Sequence, residues 1–187
     1  MNSKKILTFL VGMIFLMSVS VFAWGAETVS FIKTVSLGKE IRNDYLGFVG
    51  MKIKVGSKDI KVTELGRYFE KTNTQSHELQ IVDHKTNQIL GSASIDMSKG
   101  KADSLGFRYA PLKTSITLKA NMEYDIMSKE NSNGDKWFGR TNGNMAKVTL
   151  TPAAQVLNQI YGAKPPFTIA GEKVNQTFGP VNFRYQP

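Results

Sequence analysis

Through most of this chain apolar residues recur at every second position, in short runs separated by turn residues, and that period fits strands and leaves no sustained helix. The pattern is densest in residues 105–137. There Phe107 and Tyr109 flank Arg108, Ile116 and Leu118 flank Thr117, and Tyr124 and Ile126 flank Asp125. Three successive strands are expected, then a polar loop reading Glu130-Asn-Ser-Asn-Gly-Asp-Lys-Trp137. Within it, Asn133-Gly134 supplies the positive backbone dihedrals of a tight turn.

The rest of the chain carries the same period. Residues 28–36 read as an opening strand, 38–44 as a polar connection, and 47–55 and 60–68 as a hairpin about the turn 56–59. Met51, Ile53 and Val55 share one face, and Lys52 and Lys54 the other. With Lys58 and Lys61 these lysines form a basic outer stripe, read as a solvated or aggregation-guarded face in preference to an anion site. In strand 77–83 His77 falls on the side of Leu79 and Ile81, which predicts an inward, hydrogen-bonded core histidine in preference to a ligand or general base. His84 falls on the opposite face, so the two histidines are not expected to share a site.

Strands are also expected at 90–96, at 145–151 with Ala146, Val148 and Leu150 on one face, and at 179–185. In the last, Val181, Phe183 and Tyr185 point one way and Asn182 and Arg184 the other. Segment 153–161 is open: Ala153, Val156, Leu157 and Ile160 are helically spaced and Thr151-Pro152 is a possible cap. Nine or ten short strands, with no sustained helix and no repeat, predict an all-β fold, a two-layer antiparallel sandwich of jelly-roll type.

Residues 1–23 read as a secretory signal peptide, with Lys4 and Lys5 ahead of an apolar run and Val21-Phe22-Ala23 as the cleavage signal; cleavage as late as residue 26 also fits. One domain, residues 27–187, is expected to follow it, secreted or periplasmic and with no membrane span after cleavage. The chain has no cysteine, which excludes disulfides, thiolate metal sites and thiol nucleophiles. Loss of Lys4 and Lys5 lowers the net charge by two, from +9 to +7. A basic surface attracts acidic glycans, anionic lipid or nucleic acid, and export makes nucleic acid the least expected partner.

Several stretches resemble a family of secreted bacterial jelly-roll-like domains of unknown function. They are Gly47-Phe-Val-Gly-Met, Val62-Thr-Glu-Leu-Gly-Arg-Tyr68, Ser76-His-Glu-Leu, Ile81-Val-Asp83, Phe107-Arg-Tyr-Ala110, Ile116-Thr-Leu118, Gly134-Asp-Lys-Trp137 and Gly179-Pro-Val-Asn-Phe-Arg-Tyr185, with Tyr124, Ser128 and Glu130. The resemblance spans nearly all of residues 27–187. It implies that 153–161 is strand, and it implies the company of carbohydrate-active or cell-surface modules.

No HExxH, GxSxG or phosphate-loop motif is present, so a non-enzymatic role is expected. The expected ligand site is the loop ending at Trp137: an aromatic face for a sugar ring, with Asp135, Glu130, Asn131 and Arg140 as its polar partners. The competing reading has Trp137 plugging the end of the sandwich and Asp135 capping a turn. No cofactor is expected beyond a possible structural calcium at Glu130 and Asp135, whose spacing is not that of an EF-hand. The function expected is a carbohydrate or anionic cell-surface polymer binding module. The alternative is a structural, self-associating extracellular protein.

Overall fold

A computed structural model describes residues 27–139, 145–171 and 173–187. The expected leader, Arg140 and the turn at Asn142-Gly143 lie outside the described residues. Those described contain fifteen strands and no helix. In chain order they are β1 (Val29–Ser30), β2 (Ile32–Ser36), β3 (Ile41–Arg42), β4 (Gly47–Val55) and β5 (Ile60–Tyr68). Next come β6 (Ser76–Asp83), β7 (Ile89–Asp96), β8 (Phe107–Leu118), β9 (Glu123–Glu130) and β10 (Trp137–Phe138). The last are β11 (Ala146–Leu150), β12 (Ala154–Gly162), β13 (Thr168–Gly171), β14 (Gln176–Thr177) and β15 (Val181–Gln186).

A six-stranded sheet, ordered β13-β12-β4-β9-β6-β7, packs on a four-stranded one, ordered β1-β15-β5-β8, and the described ladders are antiparallel. The fold is all-β and sandwich-like. Its core follows from the alternation: Met51, Ile53, Ile81 and Ile126 from the larger sheet meet Val62, Leu65, Phe107 and Phe183 from the smaller. A third sheet, β14-β11-β2, lies to one side. The chain enters it from β1 at Phe31, whose amide bonds Phe183 O at 3.0 Å, and Asn175 N ties its far end to Val156 O at 3.2 Å.

Several expectations need correction. Segments 47–55 and 60–68 do not form a hairpin, because β4 pairs with β9 and β12 while β5 pairs with β8 and β15. Both segments have one apolar face, and setting them in opposite layers buries each face against the other. Residues 56–59 are thus a corner between layers. The β8 to β9 link changes layers beside it, with Asn121 N bonding Val55 O and Gly56 O at 3.2 and 2.9 Å. The basic stripe is divided as a result: Lys52 and Lys54 belong to one sheet and Lys61 to the other.

Residues 107–118 form one long strand, β8, whose register slips opposite Val62 and Glu64. The opening strand breaks at Phe31, and the connection expected at 38–44 contains β3. Asn182, expected outward, is fully buried. It accepts from Ile32 N and Phe183 N and donates to Ser30 Oγ and Tyr109 OH, all at 2.8–3.0 Å, so it satisfies the backbone where β1 gives way to β2. Segment 153–161 is strand, and His77 is buried.

The central strands are buried on both faces. Phe48, Val82, Met127 and Ile160 form a second cluster on the outer side of the larger sheet together with Phe167. A side chain on Gly50, in the middle of β4, would collide with the Ile126 carbonyl of the neighbouring strand. Gly50→Ala is therefore expected to cost about 3 kcal/mol, the upper end of overpacking penalties, because backbone has to move. A urea midpoint within error of the unmodified protein's would refute this. No helix among the described residues is long and apolar enough to cross a membrane.

Candidate functional site

At one end of the sandwich the space between the sheets changes from aliphatic to charged. The inward positions that carry Leu65, Leu79 and Ile126 farther along are occupied here by Arg67, His77, Ser128 and Glu130, all buried. Arg67, from β5, crosses to Glu130, on β9. Its Nε meets Oε1 at 3.1 Å and its Nη2 meets Oε2 at 2.7 Å, with Arg67 2% and Glu130 0% exposed. Ser128 Oγ donates to the same Oε1 at 2.7 Å. A planar guanidinium suits such a two-point contact, and a buried carboxylate requires one.

The loop after β9 is drawn into this network. Asp135 accepts from Thr74 N at 2.9 Å and Gln75 N at 2.8 Å. The His77 ring is held at both nitrogens, with Nδ1 2.7 Å from Lys129 O and Nε2 3.1 Å from Asp135 Oδ2. Asn73 exchanges two bonds with the backbone of Lys136, at 2.8 and 2.9 Å. Asn133 takes φ 61°, the left-handed geometry the turn requires. The loop therefore arrives at β10 in a defined position, where Trp137 pairs with Arg42 and Phe138 with Ile41 across β3.

Trp137 is 4% exposed and packs with Val49, Met145 and Phe178. Its ring takes part in a closed circuit of edge-to-face contacts, Tyr45–Trp137–Phe178–Tyr161–Tyr45, with centroid separations of 6.1–6.4 Å. These four rings, with Val49 and Arg42, line a cavity of about 260 Å³. The Arg42 guanidinium lies 5.0 Å from the Trp137 ring centroid and forks onto Asp44 at 2.8 and 3.2 Å. Burial raises the Tyr45 hydroxyl above its ordinary pKa, and the neighbouring Tyr161 adds to the shift. Trp137 Nε1 is buried without a hydrogen-bond partner among the described residues. An indole N–H is a donor only, and this one is shut off from solvent, so it does not open onto the cavity.

The expected site residues are thus divided. Trp137 is not an open stacking face; it forms one wall of a cavity. Glu130 and Asp135 lie inside, their oxygens facing guanidinium, hydroxyl, backbone N–H and imidazole groups, and they are not displayed at a rim. Asn131 stays on the loop surface and donates to Gln75 Oε1 at 3.4 Å. Arg140 is outside the described residues. The donors around Glu130 and Asp135 also leave poor ground for calcium, which would have to displace the Arg67 fork or the Thr74 and Gln75 amides. Among the described residues no group of three or more His, Cys, Asp and Glu is placed to hold a metal ion.

Arg42, Tyr45, Tyr161 and Phe178 were not anticipated. All four come from segments far from the loop in sequence, and the pairing of β3 with β10 rests on two residue pairs. The clue available was the aromatic character of Tyr45, Tyr161 and Phe178 beside polar connections. His84 is occupied elsewhere, its Nδ1 3.0 and 3.2 Å from the two oxygens of buried Asp125. Burial pushes the Asp125 carboxyl above the usual carboxylate range even though His84 opposes the shift. No family model matches the chain, and no curated protein matches it.

Proposed function

We propose that this protein is a non-catalytic, secreted jelly-roll module that binds a carbohydrate or cell-surface polymer, seating one sugar ring in the cavity beside Trp137. The observation that carries the reading is the closed circuit of four aromatic rings around that cavity, with the Arg42 guanidinium as the polar group in its lining. Aromatic walls suit the C–H faces of a pyranose, and a few donors among apolar groups set its orientation. Sites for drug-sized ligands begin at about 300 Å³. A cavity of about 260 Å³ suits a single ring at a chain end or branch. The leader read in residues 1–23 supports a place outside the inner membrane.

Trp137→Phe keeps an aromatic wall while removing the N–H and part of the ring. On a glycan array it is expected to lower the signal of the best ligand at least tenfold, with the melting temperature lowered by the void left behind but the protein still folded at the array temperature. Equal signals from the two proteins would remove the cavity from the account of binding.

A second reading, self-association, is favoured by exposed Leu46, Ile41 and Tyr161, which adjoin or line the cavity; Leu46 is 67% exposed. It requires assembly that grows with concentration in sedimentation velocity and is broken by Leu46→Asp. The binding reading requires neither.

A further inference from the structure

We infer that the Trp137 cavity selects an acidic sugar whose carboxylate replaces Asp44 on the Arg42 guanidinium; this rests on the binding reading above and names its ligand class. Arg42 already presents a carboxylate receptor at the cavity wall, its Nε and Nη2 each engaged by one oxygen of Asp44 at 2.8 and 3.2 Å. Two parallel N–H donors on a planar group are the geometry that distinguishes a carboxylate from a hydroxyl.

The occupant of that receptor is loosely held. Asp44 lies two residues from Arg42, its side chain is 65% exposed against 32% for Arg42, and Arg42 is its side-chain partner among the described residues. The Arg42 hydrogen bond holds the Asp44 carboxyl below its usual range, so the pair is ionised when a ligand arrives. Exposed ion pairs of this kind contribute little and exchange readily with solvent or a competing anion. Asp44 is thus a resident stand-in for a ligand carboxylate.

The remaining groups agree. Arg42 is fixed opposite Trp137 by the β3–β10 pairing, with its guanidinium 5.0 Å from the ring centroid. A ring in the cavity and a carboxylate on Arg42 can therefore belong to one molecule, as in a uronic acid. A cationic ligand is disfavoured, because the Arg42 guanidinium in the cavity lining would repel it. The net charge, +9 for the whole chain and two lower without Lys4 and Lys5 of the leader, draws acidic polymers toward it.

The test compares a galacturonic-acid oligosaccharide with its carboxyl-reduced, neutral counterpart by titration calorimetry against the full chain, Arg42→Gln, Asp44→Asn and Trp137→Phe. The acidic oligosaccharide is expected to bind the parent at least tenfold more tightly than the neutral one. Arg42→Gln should erase that difference, and Asp44→Asn should widen it severalfold by removing the competing carboxylate. Equal binding of both sugars, lowered by Trp137→Phe but untouched by Arg42→Gln and Asp44→Asn, would overturn the acidic selectivity and leave the cavity as a neutral-sugar site. Weaker acidic binding by Asp44→Asn would also overturn it, since Asp44 would then be a supporting group. No binding of either sugar, with a glycan array indifferent to Trp137→Phe, would overturn both the selectivity and the reading beneath it.

Discussion

Arg67→Met is expected to destabilise the protein by about 3–5 kcal/mol, the range found when one partner of a buried ion pair is removed. Glu130 has no exposure, and Arg67 supplies its two guanidinium hydrogen bonds, at 3.1 and 2.7 Å, with His77 Nδ1 3.6 Å from Oε2. Loss of the guanidinium leaves a carboxylate between two sheets with the Ser128 hydroxyl as its remaining close donor. Out of a total stability of about 5–15 kcal/mol for a domain, such a loss is large enough to unfold a substantial fraction of molecules. The double variant Arg67→Met/Glu130→Gln removes both charges and keeps an acceptor for Ser128, so most of the loss should be recovered. Urea denaturation of the parent, both single variants and the double closes the cycle. A single-variant cost below about 1 kcal/mol would show that the Glu130 charge is met without the guanidinium, by water or by His77, whose Nδ1 lies 3.6 Å from Oε2. A double variant no better than Arg67→Met would show that the arginine acts through packing instead of charge.

Phe183→Ala should cost about 3–5 kcal/mol by a different mechanism, the loss of buried apolar surface together with the void left behind. Phe183 is fully buried and stacks on Phe31 at 4.5 Å with the rings 9° from parallel, while Tyr185 meets it edge-on at 6.0 Å. The Phe31–Phe183 contact sits where the chain leaves the four-stranded sheet for the three-stranded one, and the backbone bond from Phe31 N to Phe183 O lies alongside. A cavity there loosens the junction of two sheets as well as the core. Phe31→Ala should cost a similar amount, and the pair should couple by about 0.5–1.5 kcal/mol, the contribution of an aromatic pair beyond its area. Phe183→Leu, which refills most of the volume, should lose less than half as much. A loss below about 1 kcal/mol for Phe183→Ala would mean that the neighbouring residues collapse into the space.

Much of the fold is legible from local chemistry. Two-residue alternation assigns Ile81, Leu118, Ile126 and Phe183 to the core and places His77 with them, because a pleated strand sends successive side chains to opposite faces wherever it ends up. Pairing is another matter. The segments on either side of residues 56–59 satisfy a hairpin and a corner equally well, and only the opposite layer can bury both apolar faces at once. The same limit applied to Asn182, whose outward position is covered by the crossing from β1 to β2.

The candidate site shows the division most sharply. Sequence alone determined a sheet protein with a polar turn at Asn133-Gly134 leading into a tryptophan, since alternation and turn chemistry act over a few bonds. Tertiary structure decided that Glu130 meets Arg67, sixty-three residues away, that Asp135 turns inward to His77, and that Trp137 closes a ring with Tyr45, Tyr161 and Phe178. Ion pairing and aromatic packing depend on distances through space, and those distances exist only after the two layers have come together.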